Sequence, residues 1–213
     1  MSFFELPQRG EEPEPSPAPV WSGPPSNMLG AAVPLRLVLA RTDDLAIAVT
    51  DASAYPAGLS FTLSIRLREV PADPRLDPSF LGGWEGPGAN PSGLPPELFR
   101  FGVQFADGRK ATTVGNPFGS EGQPEGPVLL PRSGGGGGRE WDQAYWLWPL
   151  PPAGPLAFVC EWPARGVALT RAEVDGSLIL EAAAKAETLW EEAPARGEWG
   201  PAGVFWRGST ASE

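Results

Sequence analysis

Residues 59–68 read LSFTLSIRLR. Leu59, Phe61, Leu63, Ile65 and Leu67 take every second place, and Ser60, Thr62, Ser64, Arg66 and Arg68 fill the places between. Side chains along a strand point to opposite faces in turn. The run therefore predicts a strand with one buried and one wet face, as in an antiparallel sheet. The same period continues upstream. Leu35, Leu37 and Leu39 alternate with Arg36, Val38 and Ala40, and Leu45, Ile47 and Val49 alternate after Thr42-Asp43-Asp44, which reads as a hairpin turn. Tyr55-Pro56-Ala57-Gly58 reads as the next turn, because Pro presets φ and Gly tolerates positive φ.

Downstream, Phe99, Phe101, Val103 and Phe105 alternate with polar or small residues. Asp107-Gly108 is a hairpin signal, and the return strand follows it. Residues 140–150, EWDQAYWLWPL, predict an aromatic strand. Trp141, Gln143, Tyr145 and Leu147 share one face, and Asp142, Ala144, Trp146 and Trp148 share the other. After the turn Pro151-Pro152-Ala153-Gly154, Leu156, Phe158, Cys160 and Trp162 alternate, and a short strand follows near 167–174. One helix is predicted, roughly 177–192, from Ile179, Ala182, Ala183, Ala186, Leu189 and Trp190 at helical spacing. Asp175 or Ser177 caps its start and Pro194 stops it. About eight strands and one late helix predict a mainly β chain, an antiparallel two-layer β-sandwich with one C-terminal helix across an open end or edge.

The chain of 213 residues fits one domain, and its 27 glycines and 27 prolines mark many turns and loops. Residues 1–30 read as a disordered Pro/Glu-rich tail, 31–192 as the sandwich domain with long Gly/Pro loops at 69–97 and 115–139, and 193–213 as a flexible tail. Gly134–Gly138 reads as a flexible linker within the second loop. It lacks the following Lys-Ser/Thr and the strand-to-helix context of a phosphate loop.

Net charge is -10, but it is unevenly spread. Residues 1–25 hold four acids and one base, and residues 173–213 hold eight acids and three bases, which leaves the middle nearly neutral. No basic block is present to release counterions, so neither nucleic acid nor an anionic membrane surface is an expected partner. No stretch has the length of a signal peptide's apolar core or of a membrane span, so the cytoplasm is the expected address. The chain has no histidine and one cysteine. No Ser-His-Asp triad, Cys-His dyad, His-ligated metal site or internal disulfide can form, and no motif points to a cofactor or metal.

Several blocks form a recognisable set: LVLARTDDLAIAV (37–49), AYPAGLSFTLSIRLR (54–68), FGVQFADGRKAT (101–112), GGGGGREWDQAYWLWPLPPAGPLAFVCEWPARGV (134–167) and EVDGSLILEAA (173–183). Together they resemble an uncharacterised family of actinobacterial hypothetical proteins, over roughly residues 33–192. The resemblance implies a single domain in a bacterial cytoplasm. It carries no activity or site residue.

The candidate contact residues are Trp146, Trp148, Trp141 and Tyr145, which sit with Trp162 on strands expected to pair. Their rings could stack a sugar or anchor a protein interface, Trp146 and Trp148 being the better exposed. The competing reading buries both faces of the strand. Arg66, Arg68 and Arg100 would form a cationic patch if their strands pair. Cys160 matches the parity of core residues and is expected to be an inert buried thiol. Asp142 and Glu161, on strands expected to be adjacent, could act as a carboxylate pair. Asp43, Asp44 and Asp51 are a conceivable oxygen-only cation site without EF-hand spacing. The leading expectation is a non-catalytic module that binds a protein or peptide partner, self-association included. A carbohydrate-binding module and a carboxylate-based hydrolase are the alternatives.

Overall fold

The computed structural model describes residues 18–73, 76, 94–114, 124 and 126–190. Among the described residues the strands are β1 (Met28–Leu29), β2 (Ala31–Val33), β3 (Leu37–Arg41), β4 (Leu45–Tyr55), β5 (Gly58–Leu67), β6 (Arg100–Gln104), β7 (Lys110–Thr112), β8 (Val128–Gly137), β9 (Glu140–Trp148), β10 (Pro155–Trp162), β11 (Val167–Asp175) and β12 (Glu187–Thr188), with helix α1 (Gly176–Ala183) before the last.

The chain is an antiparallel two-layer β-sandwich with one C-terminal helix. One sheet runs β2–β4–β5–β9–β8, and β3 pairs β4 on the same side as β2. The other runs β11–β10–β6–β7, and β1 and β12 form a separate ribbon. The alternating residues of 59–67 account for the core: Leu59, Phe61, Leu63 and Ile65 are at most 1% exposed. Phe61 meets Phe158 of the facing sheet edge-on at 5.3 Å and stacks on Tyr145 at 5.9 Å. Trp162 closes the same layer against Phe99 at 5.4 Å, its indole N–H donating to the Glu97 carbonyl.

The hairpins at Thr42-Asp43-Asp44, Pro56-Ala57 and Asp107-Gly108 lie where their turn residues place them. Three expectations are corrected. Twelve strands among the described residues replace about eight: β1, β2 and β12, of two or three residues, carry too little pattern to read, and β8 lies in the Gly/Pro-rich stretch 115–139 that reads as a loop. The helix ends at Ala183, and the chain then turns into β12, whose register pairs Thr188 with Met28 and Glu187 with Leu29. Asn27 holds this ribbon by accepting from the Leu189 amide and donating to the Trp190 carbonyl. Tertiary pairing thus overrides the helical spacing of Ala186, Leu189 and Trp190. Finally, Gly134–Gly137 is not a linker but the second half of β8, in register with Glu140–Gln143 of β9. Residues 1–17 of the N-terminal tail, most of the 69–97 insertion, 115–123 and 191–213, with Pro194, lie outside the described residues.

Asp175 caps α1 by accepting from the Ser177 amide. The helix buries Ile179, Ala182 and Ala183 against β2 and β4 and leaves Leu178 exposed.

Candidate functional site

The expected aromatic platform is not on the surface. Trp146 is fully buried on the face of β9 turned away from the sandwich core. It meets the Tyr55 ring edge-on at 5.7 Å, and its indole carbons press on Gly58. The expectation that it is the better exposed ring is therefore corrected: a small Gly58 and a neighbouring Tyr55 make a slot for it on the outer face. Tyr145 lies on the inner face and is buried, which pushes its phenol well above its ordinary pKa. Trp141 and Trp148 are half-buried, Trp141 packing on the core. Nor do the aromatic strands pair: β9 belongs to one sheet and β10, with Trp162, to the other.

The same separation dissolves the arginine patch. Arg66 is on β5, Arg68 just beyond it, and Arg100 on β6 of the facing sheet. Arg66 grips Asp142 with two nitrogens, at 2.9 and 3.0 Å. Arg68 donates to the Asp43 carbonyl at 2.8 Å. Arg100 pairs with Glu161 and also donates to the carbonyls of Leu94 and Pro95. The two carboxylates proposed as a pair are thus each held by an arginine on outer faces of opposite sheets, with a layer about 10 Å thick between. They cannot share one bond of a substrate. Asp43 and Asp44 lie in the turn before β4 and Asp51 is six residues into that strand, and no cluster of metal-ligating side chains forms among the described residues. Cys160 is buried, with its sulfur 3.1 Å from the Thr170 hydroxyl; burial pushes the thiol up, away from the reactive thiolate.

Asp142 also accepts from the Ser64 hydroxyl at 2.6 Å, and Ser64 lies 3.3 Å from the Thr50 hydroxyl. The Arg66 hydrogen bonds, and then that of Ser64, hold the Asp142 carboxyl below the usual carboxylate range. A depressed pKa contributes stability that is full above the unfolded value, about pH 4, and fades as pH falls through the lower folded value. Both side chains are nearly half exposed, so Arg66→Ala is expected to cost about 1 kcal/mol or less at neutral pH. That difference should vanish in urea titrations well below about pH 4, where the carboxyl is neutral in both states.

What the structure leaves open is the edge of β4. β2 covers its Ala52–Ala54 half and β3 its Ala46–Val49 half, and the chain between them steps away. Two local features cause the break. Pro34 centres a three-residue turn closed by the Leu35 amide on the Val33 carbonyl at 2.7 Å. Opposite it, β4 carries a bulge between Thr50 and Ser53, where Asp51 takes φ 51°, a left-handed conformation that Asp tolerates better than most residues. Two depressions flank the step and share Val33, Pro34, Leu35 and Arg36. One, of about 490 Å³, opens over Asp51, Ala52 and Ser53. The other, of about 220 Å³, runs between Leu37, Val174, Asp175, Leu178 and Ile179. Arg36 stands exposed between them, with no ion pair among the described residues.

Of these groove residues only Asp51 was a sequence candidate, and for a cation site rather than a groove. The readable signal was Pro34, because a proline inside an alternating run marks an edge strand or a bulge. The unpaired arginine and the apolar floor come together only in the fold.

Compared with known proteins, the chain matches no family model, no curated protein and no solved structure. No helix among the described residues is long and apolar enough to cross a membrane.

Proposed function

We propose that the chain is a non-catalytic binding module that receives an extended segment of a partner protein at the interrupted edge beside α1. The observation that carries this reading is the trough of Leu35, Leu37, Val174 and Leu178 beside an exposed Arg36, at a place where the sheet edge is broken. An extended peptide with apolar side chains for the trough and a carboxylate for Arg36 suits it. The resemblance to actinobacterial proteins supports a bacterial cytoplasmic setting.

Affinity capture from native lysate with the full chain tests this. Arg36→Glu and Leu178→Glu change exposed side chains and should leave the thermal unfolding midpoint near that of wild type. Proteins retained by wild type are expected to be lost from both variants. Equal retention by all three would overturn the assignment.

A further inference from the structure

We propose that a second copy of this chain pairs antiparallel with the open edge of β8 over Gly134–Gly137, joining two six-stranded sheets. This surface is separate from the groove and does not depend on it. β8 is the last strand of its sheet, residues 131–140 are exposed, and among the described residues nothing pairs with its outer side. Such an edge is a row of unpaired N–H and C=O groups, which proteins ordinarily blunt.

The other edges are blunted. Pro34 and the Asp51 bulge break the β2/β3 side, β11 lies against β3, and β7 has three residues. The first half of β8 is protected too: it has Pro131, a bulge between Pro131 and Gly134, and Arg132 donating to the Ser22 carbonyl at 2.8 Å. Along this edge, and among the described residues, only the stretch from Gly134 to Gly137 has no proline, charge, bulge or cover.

The glycines are not all needed by the fold. A Cβ at Gly134 would strike the Gln143 side chain, and one at Gly136 would strike the Glu140 carbonyl. Gly135 and Gly137 meet nothing within 4 Å, and neither has a left-handed φ. Their bareness leaves this edge without the charged or bulky side chains that ordinarily guard an open strand.

The edge offers main-chain groups but no side-chain pockets with which to read a foreign peptide. Its best match is an equally bare strand, and an antiparallel strand pairs with its own copy about a two-fold axis that closes the assembly. The edge is uncharged, and the excess acid lies in residues 1–25 and 173–213 rather than in the middle of the chain. Centring the pairing on Gly135 sets Gly134 against Gly136 of the second copy. It also places Arg132 opposite Gly138 rather than Arg139, which avoids like charges. Four residues make a small interface, so the dimer is weak and concentration-dependent.

The test joins sedimentation across a wide concentration series to cross-linking of Gly135→Cys with a short bis-maleimide. Cys160 is buried and does not compete. Gly135→Cys is expected to give covalent dimer where Ala168→Cys, on the exposed part of β11, gives none. Gly135→Glu sets two carboxylates face to face and is expected to sediment as monomer at every concentration with an unchanged unfolding midpoint. Arg36→Glu should dimerise like wild type, which separates this surface from the groove. Sedimentation of wild type as one chain at all concentrations, equal cross-linking of both cysteine variants, or a dimer that survives Gly135→Glu would each overturn the proposal.

Discussion

Trp146→Ala is expected to destabilise the fold by about 3–5 kcal/mol, the cost of emptying a buried ring site. The ring is fully enclosed, although it sits on the face of β9 opposite the sandwich core. A surface platform ring would cost about 0.5 kcal/mol or less. Trp146→Phe should fall well short of the alanine variant. It keeps most of the ring volume and removes an indole N–H that is buried without a hydrogen-bond partner. Urea titration decides the matter: a shifted midpoint at constant slope reports lost stability. A midpoint unchanged in Trp146→Ala would mean that the ring is not enclosed.

Gly58→Ala carries the second large effect. The new Cβ would run into the Leu147 carbonyl oxygen and come within 2.7 and 2.9 Å of two Trp146 ring carbons. The ring could tilt, but the carbonyl belongs to the neighbouring strand and moves only with the sheet. A loss of about 3 kcal/mol is expected, at the upper end of overpacking costs. Gly135→Ala is the matched comparison. It meets open space at an ordinary φ and should be neutral or stabilising by about 0.4–1 kcal/mol. Equal losses in the two variants would contradict this account of how β5 and β9 pack.

The alternation from Leu59 to Leu67 was enough to read the fold class, because a half-buried strand writes its two faces into its own residues. Cys160 and Phe158 were placed in the core by the same parity. Sheet membership was not readable. Nothing local distinguishes a hairpin from a crossover, so Pro151–Gly154 read as a turn between neighbours, whereas it carries the chain from one sheet to the other. That one step separated Asp142 from Glu161 and β9 from β10. Arg66 and Arg100 were parted likewise, with β5 and β6 in different sheets. Leu39 and Ala40 are both buried, because a register shift between Val38 and Ala40 interrupts the alternation. Trp146 was misread because parity assigns a face, not what covers that face. The groove was legible only as a proline out of place.

Hydrogen exchange on the full chain, with and without the partner retained by wild type, tests the central claim most directly. Protection is expected at residues 32–37, 51–53 and 174–179, which line the two depressions, with the β5 core strand unchanged. Protection confined to the outer face of the four-stranded sheet, with those segments exchanging as in the free chain, would contradict it.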